Sequence, residues 1–152
     1  MIKVGILGST GRVGSLLIDD LSNDSEARVA AVHVFDKLVK NLPADTIVTN
    51  DMKVLFDSSD VIIDFSAPAA TELLLTEVIE NGGNKPLVIA TTGFNKHQQN
   101  LLLEASKIVP ILYATNMSLG VAVLNKLVAL ASKTLRDFDI EIYHIKEHVQ
   151  HT

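Results

Sequence analysis

The chain has 152 residues, 47% of them hydrophobic and 20% charged, with a formal net charge of −5 and no cysteine. That length suits one domain with a real hydrophobic core, and that composition excludes a disordered chain. The acidic balance argues against a general nucleic-acid or anionic-membrane binder, and the cysteine count excludes a disulfide scaffold, a thiol nucleophile and a cysteine-ligated metal.

Ile2–Leu7 is an apolar run of strand length, followed at once by Gly8-Ser9-Thr10-Gly11-Arg12-Val13-Gly14 and a helical pattern over Ser15–Leu21. Ala27–Val34 reads as a buried second strand, Lys37–Pro43 as a connector and Asp45–Asn50 as a short edge strand. A brief helix over Met52–Ser58 precedes the apolar strand Val61–Phe65. Ser66 is then the expected N-cap of a helix, with Pro68 in its first turn, a stripe through Leu73, Leu74 and Val78, and a stop at Asn81-Gly82-Gly83-Asn84. Pro86–Thr91 is another strand, and Asn95 another cap with Gln98 in capping-box position. A helix through Leu101–Lys107, a strand at Val109–Tyr113 and a long apolar helix over Ser118–Leu135 follow.

Strands alternating with helices across short connections predict the α/β class: a Rossmann-like doubly wound parallel sheet with helices on both faces. No internal repeat or low-complexity segment interrupts it. No apolar run reaches membrane-spanning length, and no signal-peptide core precedes the first strand, so the expectation is a soluble cytoplasmic protein.

The order strand, Gly-x-x-Gly-x-x-Gly, helix is how such a fold builds a pyrophosphate site. Gly8 permits the tight turn, Gly11 lets a phosphate approach the backbone, and Gly14 lets the helix pack closely on the sheet. The helix start supplies unpaired N–H groups and partial positive charge. The hydroxyls of Ser9 and Thr10 stand where they too can reach phosphate.

Ligands of these sheets bind beyond the carboxyl ends of the strands. Three further strand ends are notable: Asp64-Phe65-Ser66-Ala67-Pro68, Ala90-Thr91-Thr92-Gly93-Phe94, and Ala114-Thr115-Asn116-Met117-Ser118-Leu119-Gly120. A carboxylate closing a buried run, as Asp64 does, needs water, a ligand or backbone N–H groups. The plainer alternative is that Asp64 and Ser66 only cap the following helix.

The Gly-x-x-Gly-Arg-x-Gly loop, the Asp-Phe-Ser-x-Pro strand end, the Thr-Thr-Gly-Phe turn and the Asn-Met-Ser-Leu-Gly-Val stretch resemble, in order and spacing, the 4-hydroxy-tetrahydrodipicolinate (dihydrodipicolinate) reductase family over roughly the first 140 residues. The resemblance implies an NAD(P)H-dependent oxidoreductase of diaminopimelate and lysine biosynthesis, passing hydride to a cyclic imine dicarboxylate. It implies NADH or NADPH as cofactor, with Gly8, Ser9, Thr10, Gly11, Arg12 and Val13 around the pyrophosphate. Ala90, Thr91 and Thr92 would line the nicotinamide side, and Ala114, Thr115, Asn116 and Met117 the junction with the substrate pocket. On this reading residues 1–136 form a dinucleotide-binding domain and 137–152 the start of a substrate domain that the chain otherwise lacks.

Two departures stand out. The second strand ends on His33, with Asp36 beyond it, where an acidic residue usually holds the adenine ribose. Either Asp36 takes that role, or His33 with Lys37 favours a 2′-phosphate and NADPH, or His33 simply faces water. Secondly, the family's His pair, Lys and Pro-Ser-Gly-Thr loop do not follow the strand Asp139–Ile142; His148 is the candidate remnant of the catalytic pair. His144 and His148 stand four apart, but no third ligand has convincing spacing, so no metal is expected and His144, His148 and His151 read as solvated tail. The tail beyond Asp137 is expected to be poorly packed or paired with another chain.

Three functions compete: the reductase itself; a truncated, impaired remnant that at most binds nucleotide; and a different Rossmann-type protein such as a CoA-binding ligase domain, against which the ordered Thr-Thr-Gly-Phe and Asn-Met-Ser-Leu-Gly strings count. The partner in each case is a small molecule, not nucleic acid or membrane. The family associates through the missing domain, so its oligomeric state does not carry over.

Overall fold

The computed structural model describes residues 1–35, 41–139, 141 and 143. Asp36, Lys37, His144, His148 and His151 lie outside the described residues, as do Ile140 and Ile142 of the expected last strand. Contacts divide the chain into two units, Met1–Asn116 and Met117–Thr152.

The first unit alternates strands and helices in the order β1 (Ile2–Leu7), α1 (Arg12–Ser22), β2 (Ala27–His33), β3 (Ile47–Thr49), α2 (Met52–Asp57), β4 (Val61–Asp64), α3 (Pro68–Asn81), β5 (Leu87–Ile89), α4 (Lys96–Ala105) and β6 (Ile111–Tyr113). The strands form one six-stranded sheet in the order β3-β2-β1-β4-β5-β6, every pair parallel. This is the doubly wound α/β sheet that the alternating pattern predicts. A parallel sheet is covered on both faces, so its central strands are apolar without alternation. Accordingly Val4–Leu7 and Val29–His33 are continuously buried, whereas Ile47 and Val48 of β3 and Leu112 of β6, at the two edges, are exposed.

The core has two parts. Val4, Ile6, Val29 and Val32 pack with Ile18 of α1. Leu7, Ile62, Leu87 and Ile89 pack with Leu55 of α2, Leu74, Leu75 and Val78 of α3 and Ala105 of α4. Each fully buried aliphatic side chain contributes about 1.5–3 kcal/mol.

The strand register decides where a site can form. Leu7 pairs with His33 on one side and Asp64 on the other; Asp64 pairs with Ile89, Ile89 with Tyr113, and His33 with Thr49. All six strands therefore end in one row, and the connections that follow them share one rim.

The helix starts obey local chemistry. Asp51 accepts from the Lys53 and Val54 N–H groups to cap α2, and Asn95 forms a reciprocal capping box with Gln98 on α4. The α3 start departs from expectation. Its N-cap is Ala67, with no side-chain cap bond, rather than Ser66, whose amide and hydroxyl both donate to Asp64. Pro68 then opens the helix, where its missing N–H costs nothing.

The second unit contains α5 (Leu119–Thr134), capped by the Ser118 hydroxyl, which accepts from Val121 N–H. Leu119, Leu124, Leu127 and Leu130 on it are exposed. Among the described residues no helix is long and apolar enough to cross a membrane.

Candidate dinucleotide site

A cleft of about 500 Å³ opens at the row of strand ends, lined by Gly8, Thr10, Gly11, His33, Phe35, Phe65, Ser66, Ala67 and Ala70. It brings together the turn after β1, the end of β2 and the β4–α3 connection. A second cleft of about 500 Å³ lies beyond His33, but Asp51, Glu77 and Glu80 line it. Carboxylates repel phosphate, so the first cleft is the one suited to a dinucleotide.

The turn is built from two glycines that no other residue replaces. Gly8 has φ +89, and a Cβ there would sit 2.6 Å from the Phe65 carbonyl oxygen. A Cβ on Gly14 would collide with the Gly8 carbonyl oxygen, so α1 lies directly against the turn. Gly11 N–H donates to Gly8 O at 3.0 Å and closes the loop. Gly11 is also the N-cap of α1 and offers no side-chain oxygen to the first turn. The orphan N–H groups there suit an anion.

The other candidate residues divide by placement. Thr10 is exposed on the cleft, and Arg12 and Val13 are exposed on the first turn of α1. Ser9 is buried, and its Oγ donates to the His33 carbonyl at 3.0 Å. Its single proton is thereby spent inward, so the expected outward reach of this hydroxyl toward phosphate is corrected: Ser9 ties the loop to β2 instead. Ala90, Thr91 and Thr92 follow β5, Thr91 buried and Thr92 exposed. Ala114, Thr115 and Asn116 follow β6, and Met117 belongs to the second unit. The ring of Phe94 stacks on that of Tyr113, with centroids 5.5 Å apart, and so holds the Thr-Thr-Gly-Phe turn beside the end of β6. Gly93 supplies the positive φ of +87 in that turn.

His33 does not face water. It is buried, edge-on to Phe35 at 4.7 Å, and hydrogen-bonded to the Asn50 backbone, and its Nδ1 is buried without a partner among the described residues. Burial holds its pKa below the ordinary value of 6.5, against smaller upward pulls from the Asn50 backbone and Asp51. The sequence reading placed Phe65 and Ala67 at a ligand-facing strand end without giving either a role, and it missed Phe35 and Ala70 as lining. Each follows a strand end by at most a few residues, a positional signal, but none has chemistry that advertises it.

Asp64 closes β4 and is wholly buried. It receives the Ser66 N–H at 2.9 Å, the Ser66 hydroxyl at 2.5 Å, the Thr71 hydroxyl at 2.5 Å and the Thr91 hydroxyl at 3.0 Å. Neither water nor ligand is needed to satisfy it, and it does not cap α3 directly.

Comparison with known proteins agrees with this geometry. Residues 2–117 match the family model described as dihydrodipicolinate reductase, N-terminus. The chain is 80% identical over 151 residues to a 4-hydroxy-tetrahydrodipicolinate reductase of Aliarcobacter butzleri, covering 99% of this chain and 58% of that protein. It is 56% identical over 142 residues to the protein of that name from Nitratiruptor sp., covering 93% of this chain and 55% of the relative. The chain thus spans little more than half the length of these relatives. Among solved structures, a dipicolinate-bound dihydrodipicolinate reductase from Paenisporosarcina sp. superposes with a TM-score of 0.72 at 23% identity, covering 87% of this chain and 54% of that one, a likeness of fold. With the matched segment running through the glycine turn and all six strand ends, the chain belongs to the dihydrodipicolinate reductase N-terminal family.

Proposed function

We propose that this chain is the nicotinamide-dinucleotide-binding part of a 4-hydroxy-tetrahydrodipicolinate reductase of diaminopimelate and lysine biosynthesis. The observation that carries the reading is the cleft at the glycine turn, joined to the family match over residues 2–117. The cleft fits the cofactor: only a residue without Cβ is accommodated at Gly8 and Gly14, and the start of α1, with no side-chain cap, suits an anion. When bound, NADH or NADPH supplies the hydride, which goes to a cyclic imine dicarboxylate.

The chain's own residues bind and orient. Gly8–Val13 hold the pyrophosphate, with Ser9 fixing the loop from below and Thr10 at its surface. His33 and Phe35, with Asp36 beyond them, stand at the adenosine end. Ala90, Thr91 and Thr92 border the nicotinamide side, and Ala114, Thr115, Asn116 and Met117 lead toward the substrate pocket. In this proposal residues 1–136 are the dinucleotide domain and 137–152 enter a substrate domain, where His148 is the candidate proton donor. The proposal takes the cytoplasm as the compartment and a small cyclic dicarboxylate as the partner.

Titration calorimetry of the chain with NADH, NADPH and ADP-ribose tests the reading. Micromolar binding of at least one nicotinamide nucleotide is expected, and binding of none of the three overturns it. Turnover of freshly generated dihydrodipicolinate tests the reductase activity itself.

A further inference from the structure

We propose that Asp64 is the positioning residue of this cleft, its buried carboxylate holding the β4–α3 wall and the end of β5 in place against the glycine turn. The inference rests on the dinucleotide reading of the cleft. Asp64 is a residue that the resemblance assigns no role.

Asp64 sits at the middle of the row of strand ends, between Leu7 and Ile89 in the pairing. It is 0% exposed. A buried carboxylate is costly unless its lone pairs are filled, and all four of its side-chain partners are donors. Oδ1 takes the Ser66 amide and hydroxyl and the Thr91 hydroxyl, and Oδ2 takes the Thr71 hydroxyl. These donors come from three places: the cleft wall, the first turns of α3 and the residues after β5. The bond to Thr91 spans 27 positions of sequence and adds a side-chain tie beside the backbone bond from Ala90 N–H to the Asp64 carbonyl at 2.9 Å.

The wall it holds touches the glycine turn directly. A Cβ on Gly8 would meet Phe65 O at 2.6 Å and Ser66 Cα at 2.9 Å, so displacement of this wall alters the turn itself. The network also sets polarity. A hydroxyl has one proton, and those of Ser66 and Thr91 are turned to Asp64. Their oxygens are left with lone pairs only, which suit a hydroxyl or amide N–H of a ligand and not a phosphate oxygen. Phosphate is thereby left to the glycine turn and the start of α1.

Asparagine at this position separates positioning from mere bulk. It keeps the volume but replaces one acceptor oxygen with a donor, which faces hydroxyls now donating to Asp64; for those of Ser66 and Thr71 the alternative acceptor is the Ala67 carbonyl, at a longer 3.4 Å. For Asp64→Asn in the full chain, NADH and ADP-ribose affinity by calorimetry is expected to fall at least tenfold, and amide hydrogen exchange over residues 65–71 to quicken without ligand. In the cycle with Ser66→Ala, the second substitution is expected to cost little affinity once Asp64 is changed. If Asp64→Asn does not fold, Thr71→Val, which leaves Oδ2 unfilled, is expected to weaken NADH binding several-fold. Unchanged affinity or exchange in whichever variant folds, with the unaltered chain binding normally, overturns the role of Asp64 alone. Failure of the unaltered chain to bind any nucleotide instead overturns the dinucleotide reading, while the exchange measurement still tests whether Asp64 holds the wall.

Discussion

Ser9 and His33 are joined from loop to strand: the Ser9 hydroxyl donates to the His33 carbonyl at 3.0 Å, both residues buried. Because Leu7 pairs with His33 in the sheet, this bond continues the β1–β2 ladder one step into the glycine turn. The turn is therefore fastened on its β2 side by Ser9 and packed on its β4 side against Phe65 and Ser66.

Ser9→Ala is expected to lower stability by about 1–2 kcal/mol, since a buried carbonyl loses its donor. Chemical denaturation reads that loss. The enthalpy of ADP-ribose binding should change little, because the hydroxyl does not reach the phosphates; a large loss of binding enthalpy with stability intact would place it on phosphate after all.

Gly14→Ala tests the close approach of α1. Its Cβ would overlap the Gly8 carbonyl oxygen, and backbone, unlike a side-chain end, cannot swing aside. Overpacking of this kind costs about 1–3 kcal/mol, and the displaced turn should bind NADH at least tenfold more weakly by calorimetry.

His33 predicts a pH dependence. Its folded pKa lies below the unfolded value of 6.5, so below that pH the unfolded chain takes up a proton that the folded chain resists. Stability from this group is held above pH 6.5 and lost as pH falls below it toward the folded value. The melting temperature should fall more steeply between pH 7 and 5 in the unaltered chain than in His33→Gln; parallel slopes would remove His33 as the cause.

Asn95→Ala breaks the capping box that opens α4 after the Thr-Thr-Gly-Phe turn. Loss of the bond from Gln98 N–H to the Asn95 side chain, with the backbone N–H of residue 95 still able to donate to Gln98, is expected to cost about 1 kcal/mol in thermal unfolding, and NADH affinity should not change because neither residue lines the cleft.

Much of this was legible in one dimension because the determining interactions are local. Asn95 and Gln98, three residues apart, announce their capping box, and the run from Ile2 to Gly14 announces strand, turn and helix. Ser66 shows the limit. Beside Pro68 it has the sequence of an N-cap, yet its amide and hydroxyl turn to Asp64 and the cap falls on Ala67. Thr71 and Phe35 gave no sign, since their roles depend on neighbours supplied by other elements.

By itself, then, the sequence determined the alternation of strands and helices and the glycine turn, because chain stiffness, hydrophobic period and the lack of a Cβ act within a few residues. Only the tertiary structure decided what the turn leans on. The common register of β1, β2, β4 and β5 lines Leu7, His33, Asp64 and Ile89 in one row, which brings Ser9 to His33 and Thr91 to Asp64. Those contacts join residues 24 and 27 positions apart, a separation that only sheet pairing closes.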